Sequence, residues 1–382
     1  MTNFNDSRGG LVHGDDACRG SAAEGRPPAT AYINRIATAV PPHDVHSSFV
    51  RFASTLFGDE RSRVLFGRMA DKAQISHRFS VLAPSAEVGG ASIDAGRFYL
   101  RGGFPTTADR MRLYEKHAPE LAAQAVAGLD LGSAARRITH VIVTSCTGFS
   151  APGIDLELVE RFGLDPSVER TMIGFMGCYA AINALKLARH IVRSAPEARV
   201  LVVNVELCTL HLQEAVAMDQ MLSFLLFGDG CAAAVVSAEP KGLALDRLHA
   251  VVVPGTRELI TWNIRDLGFE MFLSGRVPGA IDRGLKAAAG AILDGAAPGE
   301  IDLWAVHPGG RSVLDAVEHA LDLGPLALGA SRDVLARFGN MSSATIMFVL
   351  QSIVADARPG MRGCAMSFGP GLTAETVLFH TA

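Results

Sequence analysis

The 382-residue sequence predicts an α/β fold with buried strands. Three observations carry that prediction. From Met111 onward, segments with helical apolar spacing alternate with short, almost uninterrupted apolar runs rich in Val, Ile and Leu. Apolar residues make up 49% of the chain and charged residues only 19%, so a large core can be filled. A strand, a Gly-plus-polar turn and an apolar helix recur in the same order in both halves of the sequence.

Residues 1–28 are rich in Gly, Asp, Ser and Ala and are expected to be a disordered tail. Order is expected from Ala31-Tyr32-Ile33, followed by a charged helical region over 45–72 and a Gly- and Pro-containing loop region over 83–103. The first cycle then predicts a helix over 114–128, a strand over 139–144, a helix over 179–192 and strands over 200–205 and 232–236. The second predicts a strand over 301–306, helices over 312–321 and 345–354, and a last strand pair flanking Gly369-Pro370-Gly371. Thr144 precedes Cys178 by nearly the distance from His307 to Asn340. We read a duplication, with halves at 29–240 and 241–382 and with Cys178 and Asn340 at matching helix starts.

Net charge is -4 and no basic stripe occurs, so nucleic acid is not an expected partner. Six cysteines are scattered without a CxxC pair, which fits reduced thiols in a cytosol and no zinc site. No apolar run reaches membrane-span length and the N-terminus lacks a signal-peptide core, so a cytoplasmic, soluble protein is expected.

Chemistry concentrates in Gly174-Phe175-Met176-Gly177-Cys178-Tyr179-Ala180-Ala181. A thiol at the first turn of a buried helix feels the positive end of the peptide dipoles, which favours its thiolate. Gly177 permits a tight turn and leaves space beside the sulfur. The plain alternative is a packing cysteine, since Cys is among the most often buried residue types. His307 ends a strand before Pro308-Gly309-Gly310, which lets its imidazole project into a cavity; alone, a strand-end His is more often a structural hydrogen-bonder. Asn340 alone reads as a helix N-cap, unless Ser342 caps and frees the amide. Together, the three suit acyl transfer. The thiolate accepts an acyl group from a thioester, and His307 and Asn340 aim two donors at one developing oxyanion. The same donors suit the enolate left when a malonyl thioester loses carbon dioxide.

The Cys178 octapeptide, Trp304-Ala305-Val306-His307-Pro308-Gly309-Gly310, Gly339-Asn340-Met341-Ser342-Ser343-Ala344 and Phe368-Gly369-Pro370-Gly371-Leu372-Thr373-Ala374-Glu375-Thr376 together resemble the type III polyketide synthases, the chalcone synthase family. The resemblance covers residues 30 to 382. It implies a thiolase-type five-layer αβαβα fold, a homodimer, and acyl-CoA and malonyl-CoA as substrates with no further cofactor. It implies catalytic roles for Cys178, His307 and Asn340, a gatekeeper role for Phe227, and coenzyme A phosphate binding by Arg68 and Lys72. Leu65 stands where a third basic residue is common. Cys146, Cys208 and His211 replace threonines of the plant enzymes' cavity wall, and Trp262 replaces a small residue and should shrink or divide the elongation cavity. Ser342 and Met271 are assigned to the same pocket.

The Met-Gly-Cys-Tyr context and the segment Cys146 to Asp155 look most like the bacterial alkylresorcinol and alkylpyrone synthases, which implies a long fatty acyl starter. Two other readings use the same residues: a ketoacyl synthase of fatty acid initiation, and a silent acyl-chain-binding protein. A dinucleotide-binding reading of Gly369-Pro370-Gly371 fails because the following residues read as a strand.

Overall fold

The computed structural model describes residues 28–87, 89–214 and 218–382, the side chain of residue 219 excepted. The expected N-terminal tail, apart from its last residue, lies outside the described residues. Strands and helices follow in chain order as β1 (Tyr32–Ala39), β2 (His43–Asp44), α1 (His46–Ser54), α2 (Glu60–Ala73), β3 (Phe79–Ser80), α3 (Thr107–Ala127), β4 (His140–Ser145), α4 (Ile154–Phe162), β5 (Glu169–Gly174), α5 (Ala180–Ser194), β6 (Arg199–Leu207), α6 (Met218–Leu226), β7 (Asp229–Ser237), β8 (Leu243–Val252), β9 (Ile260–Arg265), β10 (Gly268–Leu273), α7 (Val277–Ile292), β11 (Leu303–Val306), α8 (Arg311–Leu321), α9 (Gly329–Phe338), α10 (Thr345–Asp356), β12 (Arg362–Gly369) and β13 (Thr373–Thr381). The single charged helical region expected over 45–72 is two helices. Asp59 breaks it in extended conformation and caps α2 by accepting a hydrogen bond from the Ser62 N–H.

The strand order is β11-β12-β13-β8-β1-β7-β6-β4-β5. From its centre the order runs β1-β7-β6-β4 one way and β8-β13-β12-β11 the other, with β5 added at one end. Pairing senses match as well. The β4–β6 and β11–β12 pairs are parallel; β6–β7 and β12–β13 are antiparallel; so are β1–β7 and β8–β13. The duplication read from spacing is therefore a duplication of topology.

Alternation along the strands creates five layers. In the first half, Ile142, Val200, Val202, Ala232 and Ala234 face one core, and Val141, Val143, Leu201, Val203 and Ala233 face another. In the second half, Ala305, Ala365 and Val377 join that first core, while Trp304, Val306, Cys364 and Met366 face a third. The shared central core contains α5 and α10. Helices α3 and α4 cover one outer face, and α7 and α8 the other. The result is αβαβα, a thiolase-type arrangement. Charges on α5 are used to tie the halves together: Lys186 pairs with Glu375 of β13 at 2.6 Å, and Arg189 donates to the carbonyls of Leu245 and Asp246.

Each central helix is preceded by a three-residue 3-10 turn, Gly177–Tyr179 before α5 and Ser342–Ala344 before α10. Both turns open on a residue in the left-handed region, Gly177 at φ +76 and Ser342 at φ +47. The helix-start equivalence expected between Cys178 and Asn340 is corrected here: Cys178 matches Ser343, and Asn340 lies two residues ahead of its turn.

Candidate active site

Cys178 is the middle residue of the first 3-10 turn, not the first turn of an α-helix. A Cβ on Gly177 would stand 2.2 Å from Cδ of Pro370, and one on Gly369 would stand 2.7 Å from the Tyr179 ring and 3.3 Å from the Cys178 nitrogen. The space provided by Gly177 is thus taken by the Gly369-Pro370-Gly371 loop, which clamps the cysteine turn. The Gly177 N–H donates to Sγ of Cys146 at 2.9 Å.

The Cys178 thiol has hydrogen-bonding contact with Ser342 and Asn340 from the opposite half. Burial is the largest influence on it and, with the nearby Glu206, pushes the thiol up to about 11 despite those two hydrogen bonds. Burial and Glu206 thus oppose the thiolate that the peptide dipoles favour. Raising the thiol from 9.0 to about 11 corresponds to about 3 kcal/mol against the thiolate, and a helix terminus returns only about 0.3–1 kcal/mol.

Asn340 is held at three points. Its backbone N–H donates to the Leu226 carbonyl at 2.8 Å, its Oδ1 accepts from the Ser342 N–H at 2.8 Å, and its Nδ2 donates to the Gly309 carbonyl at 3.3 Å. Asn340 therefore caps the turn with its oxygen, leaving one amide hydrogen uncommitted among these bonds. Its backbone also bridges to Phe227. Gly309 closes the link to His307: a Cβ there would lie 3.6 Å from Cδ2 and Nε2 of the imidazole. His307 is 1% exposed, and neither ring nitrogen has a hydrogen-bond partner among the described residues. Burial holds its pKa down at about 3, so the imidazole is neutral.

The sulfur borders a small, largely apolar cavity of about 30 Å³. Of the pocket residues expected from sequence, Cys146, Cys208, Phe227, Trp262, Met271 and Ser342 border it. His211 does not. It is fully buried behind the wall, stacked on Phe269 at 4.1 Å and edge-on to Trp262 at 5.4 Å. Its Nε2–H donates to the Thr147 carbonyl at 2.7 Å and its Nδ1 accepts from the Phe269 N–H at 3.1 Å, so both nitrogens are spent. Burial holds it neutral, with a pKa of about 3. The Trp262 indole N–H donates to the Cys146 carbonyl at 2.8 Å, which fixes the ring as a partition.

A groove of about 500 Å³ is bordered by Leu226, Gly309 and Gly310. Lys72 borders it. Arg68, one turn earlier on α2, is exposed but does not border it. Arg311, at the start of α8, borders the groove and donates to the Lys72 carbonyl at 3.4 Å. The sequence reading missed Arg311. It also passed over Glu206, although a lone carboxylate in an apolar strand is a signal. Glu206 accepts from the Cys146 N–H and the Thr147 hydroxyl, each at 2.9 Å, and from the Ser343 hydroxyl at 2.5 Å. Burial raises it to about 7. Among the described residues no group of three or more His, Cys, Asp or Glu is placed to hold a metal ion.

Residues 18–240 match the family described as chalcone and stilbene synthases, N-terminal domain, and residues 245–382 match the corresponding C-terminal domain. The chain is 35% identical over 371 residues to the alpha-pyrone synthesis polyketide synthase-like Pks18 of Mycobacterium tuberculosis, covering 92% of each chain. Among solved structures it resembles the C-terminal type III polyketide synthase domain of Steely1 from Dictyostelium, with a TM-score of 0.84, 25% identity, and coverage of 92% of this chain and 99% of that one. It also resembles PKS-I from the brown alga Ectocarpus siliculosus, with a TM-score of 0.82, 28% identity, and coverage of 94% and 100%.

Proposed function

The chain belongs to the chalcone and stilbene synthase family of type III polyketide synthases, and from that premise we propose that it extends a long-chain fatty acyl starter with malonyl-CoA and closes the product to an alkylpyrone or alkylresorcinol. It is a condensing acyltransferase. That sets aside the initiation ketoacyl synthase and the silent binding protein.

In the proposed cycle the Cys178 proton passes to His307, and the thiolate attacks the starter thioester carbonyl. Coenzyme A leaves as its thiol, taking the proton, and the starter remains on sulfur. Malonyl-CoA then binds, and its carboxylate leaves as carbon dioxide. His307 and the remaining Asn340 amide hydrogen donate to the enolate oxygen. The enolate carbon attacks the acyl-Cys178 carbonyl, forming a carbon–carbon bond and releasing the sulfur, which takes up one proton from solvent by way of His307 before the next round. Repetition lengthens the chain before lactonisation or aldol closure. Because burial opposes charge on either group alone, thiolate formation is coupled to the imidazole.

One observation carries this reading. The Cys178 sulfur meets Ser342 and Asn340 across the duplicated halves and borders a largely apolar cavity, and a groove reaches Gly309 and Gly310 of the loop after His307. The fatty starter is supported by the partition at Trp262, which narrows the cavity toward a chain rather than a ring. The name of Pks18 refers to alpha-pyrone synthesis, which favours lactone closure here. Lys72 and Arg311 are the cations proposed to receive coenzyme A phosphates, Arg311 standing in for the basic residue absent at Leu65. The outer edge of the sheet at β5, with Met172, Met176 and Phe149 each more than a third exposed, supports a homodimer joined edge to edge. Among the described residues no helix is long and apolar enough to cross a membrane; a cytoplasmic enzyme is proposed.

The test is incubation with lauroyl- or stearoyl-CoA and malonyl-CoA, with products read by mass spectrometry. Alkylpyrones or alkylresorcinols are expected, and Cys178→Ala abolishes them. Turnover restricted to aromatic or short starters rejects the fatty reading. Condensation by Cys178→Ala rejects the nucleophile. Light scattering tests the dimer, and a monomeric mass rejects it.

A further inference from the structure

Phe227 and Asn340 come from opposite halves of the chain and are joined by a short backbone clasp. The Asn340 N–H donates to the Leu226 carbonyl at 2.8 Å, and the Gly228 N–H donates back to the Asn340 carbonyl at 3.0 Å. Phe227 borders the Cys178 cavity, and Asn340 has hydrogen-bonding contact with the Cys178 thiol. The clasp therefore sets the spacing between the Asn340 amide and the wall that faces an acyl group on sulfur.

Arg78, just ahead of β3, is built into that clasp and is 2% exposed. Its Nη1 donates to the Phe224 carbonyl at 3.0 Å and the Phe227 carbonyl at 2.6 Å, and its Nε donates to Nδ1 of His46 on α1 at 3.0 Å. The aliphatic stem packs on the backbone of both sides. A Cβ on Gly339 would stand 2.8 Å from Cγ of Arg78, and one on Gly228 would stand 3.5 Å from its Cβ. Burial lowers the guanidinium to about 10, against the pull of Asp229 and Asp44, so it remains a cation. It is spent on the carbonyls at the C-terminal end of α6, where the helix dipole is negative. Arg78 does not border the Cys178 cavity, so its effect on the chemistry passes through Phe227 and Asn340.

We propose that Arg78 is a positioning residue for carbon–carbon bond formation: by locking the clasp, it holds the Asn340 amide, which binds the enolate, in register with the Phe227 wall, which confines the acyl group on Cys178. The inference rests on the condensation cycle above and adds what keeps its two reactants aligned. With the spacing kept, the enolate carbon attacks the acyl thioester. With the spacing lost, the enolate takes a proton from solvent and leaves as acetyl-CoA. Carbon dioxide is then released and no carbon–carbon bond is made.

The experiment uses the full-length protein and malonyl-CoA labelled in its free carboxyl group. Carbon dioxide released is counted against carbon–carbon bonds found in the products by mass spectrometry. Lauroyl-, hexanoyl- and benzoyl-CoA are offered as starters, and the ratio is taken with the fastest. A variant that merely folds less well lowers both counts and leaves the ratio unchanged. The unaltered protein gives a ratio of about one, because a positioned enolate attacks before it is protonated. Arg78→Met keeps the length of the side chain and loses its donors. A clasp displaced by about 1 Å slows bond formation by up to about 100-fold and raises the ratio about tenfold or more. His46→Leu removes only the acceptor of Nε and raises the ratio about threefold. It decides the matter if Arg78→Met yields no soluble protein. Lower turnover at an unchanged ratio is what a purely structural arginine gives; it overturns the positioning role and leaves the cycle standing. Release of no carbon dioxide by the unaltered protein overturns both.

Discussion

Gly177→Ala tests the clamp that positions the candidate nucleophile. Gly177 has φ +76, a region that costs an L-residue about 1–2 kcal/mol. The added methyl group would also stand 2.2 Å from Cδ of Pro370, whereas ordinary contact begins near 3.4 Å. The Gly-Pro-Gly loop or the cysteine turn must therefore retreat by about 1 Å, and such overpacking costs about 1–3 kcal/mol. The combined loss of about 2–5 kcal/mol lowers the melting midpoint of a chain this long by about 3–6 °C. A displacement of about 1 Å at the attacking sulfur slows acylation by about 100-fold. Thermal melting followed by circular dichroism reads the first effect. Single-turnover transfer of radiolabelled acyl groups onto Cys178, measured below the new midpoint, reads the second. A variant with unchanged melting and unchanged acylation would falsify the claim that the loop and the turn are mutually constrained.

Three further predictions follow from burial and charge. Alkylation of Cys178 by iodoacetamide in the substrate-free protein rises steadily with pH from 7 toward 10, since the thiol sits near 11; a plateau below pH 7 means a resting ion pair that this geometry does not contain. Glu206 is raised from 4.5 to about 7, so its contribution to stability is full below about 4.5 and is lost as pH rises through about 7, a change of about 3 kcal/mol. Glu206→Gln removes that descending limb, and urea midpoints between pH 5 and 8 check it; an unchanged slope refutes the assignment. Arg311→Ala and Lys72→Ala each raise KM for malonyl-CoA about tenfold while leaving KM for a truncated malonyl thioester without the nucleotide unchanged. Equal effects on both substrates place these cations away from the phosphates.

The share of the structure legible in the sequence follows from which forces are local. Buried strands such as β4 and β6 are visible because nearly every residue is apolar whichever face it takes. Helix α5 is visible because its apolar stripe repeats at helical spacing. The amphipathic helices α7 and α9 and the β9–β10 hairpin went unread, since their weaker patterns acquire meaning only against the faces they cover. Cys178, His307 and Asn340 were legible because each sits in a Gly-rich turn whose composition records an unusual backbone.

Their protonation was not legible. A helix start argues for a thiolate, and that argument is local; the opposing desolvation comes from burial by segments of both halves of the chain. The same holds for His211, which in sequence stands three residues from Cys208 like a partner. In space its nitrogens are consumed by Thr147 and Phe269, residues 64 and 58 positions away. Composition and spacing thus decided the layers, the duplication and which side chains are candidates for the chemistry. Only the folded chain decided which of them face a common cavity, which are spent on holding its walls, and which are neutral. Those outcomes depend on the dielectric and the partners that distant segments bring to each atom.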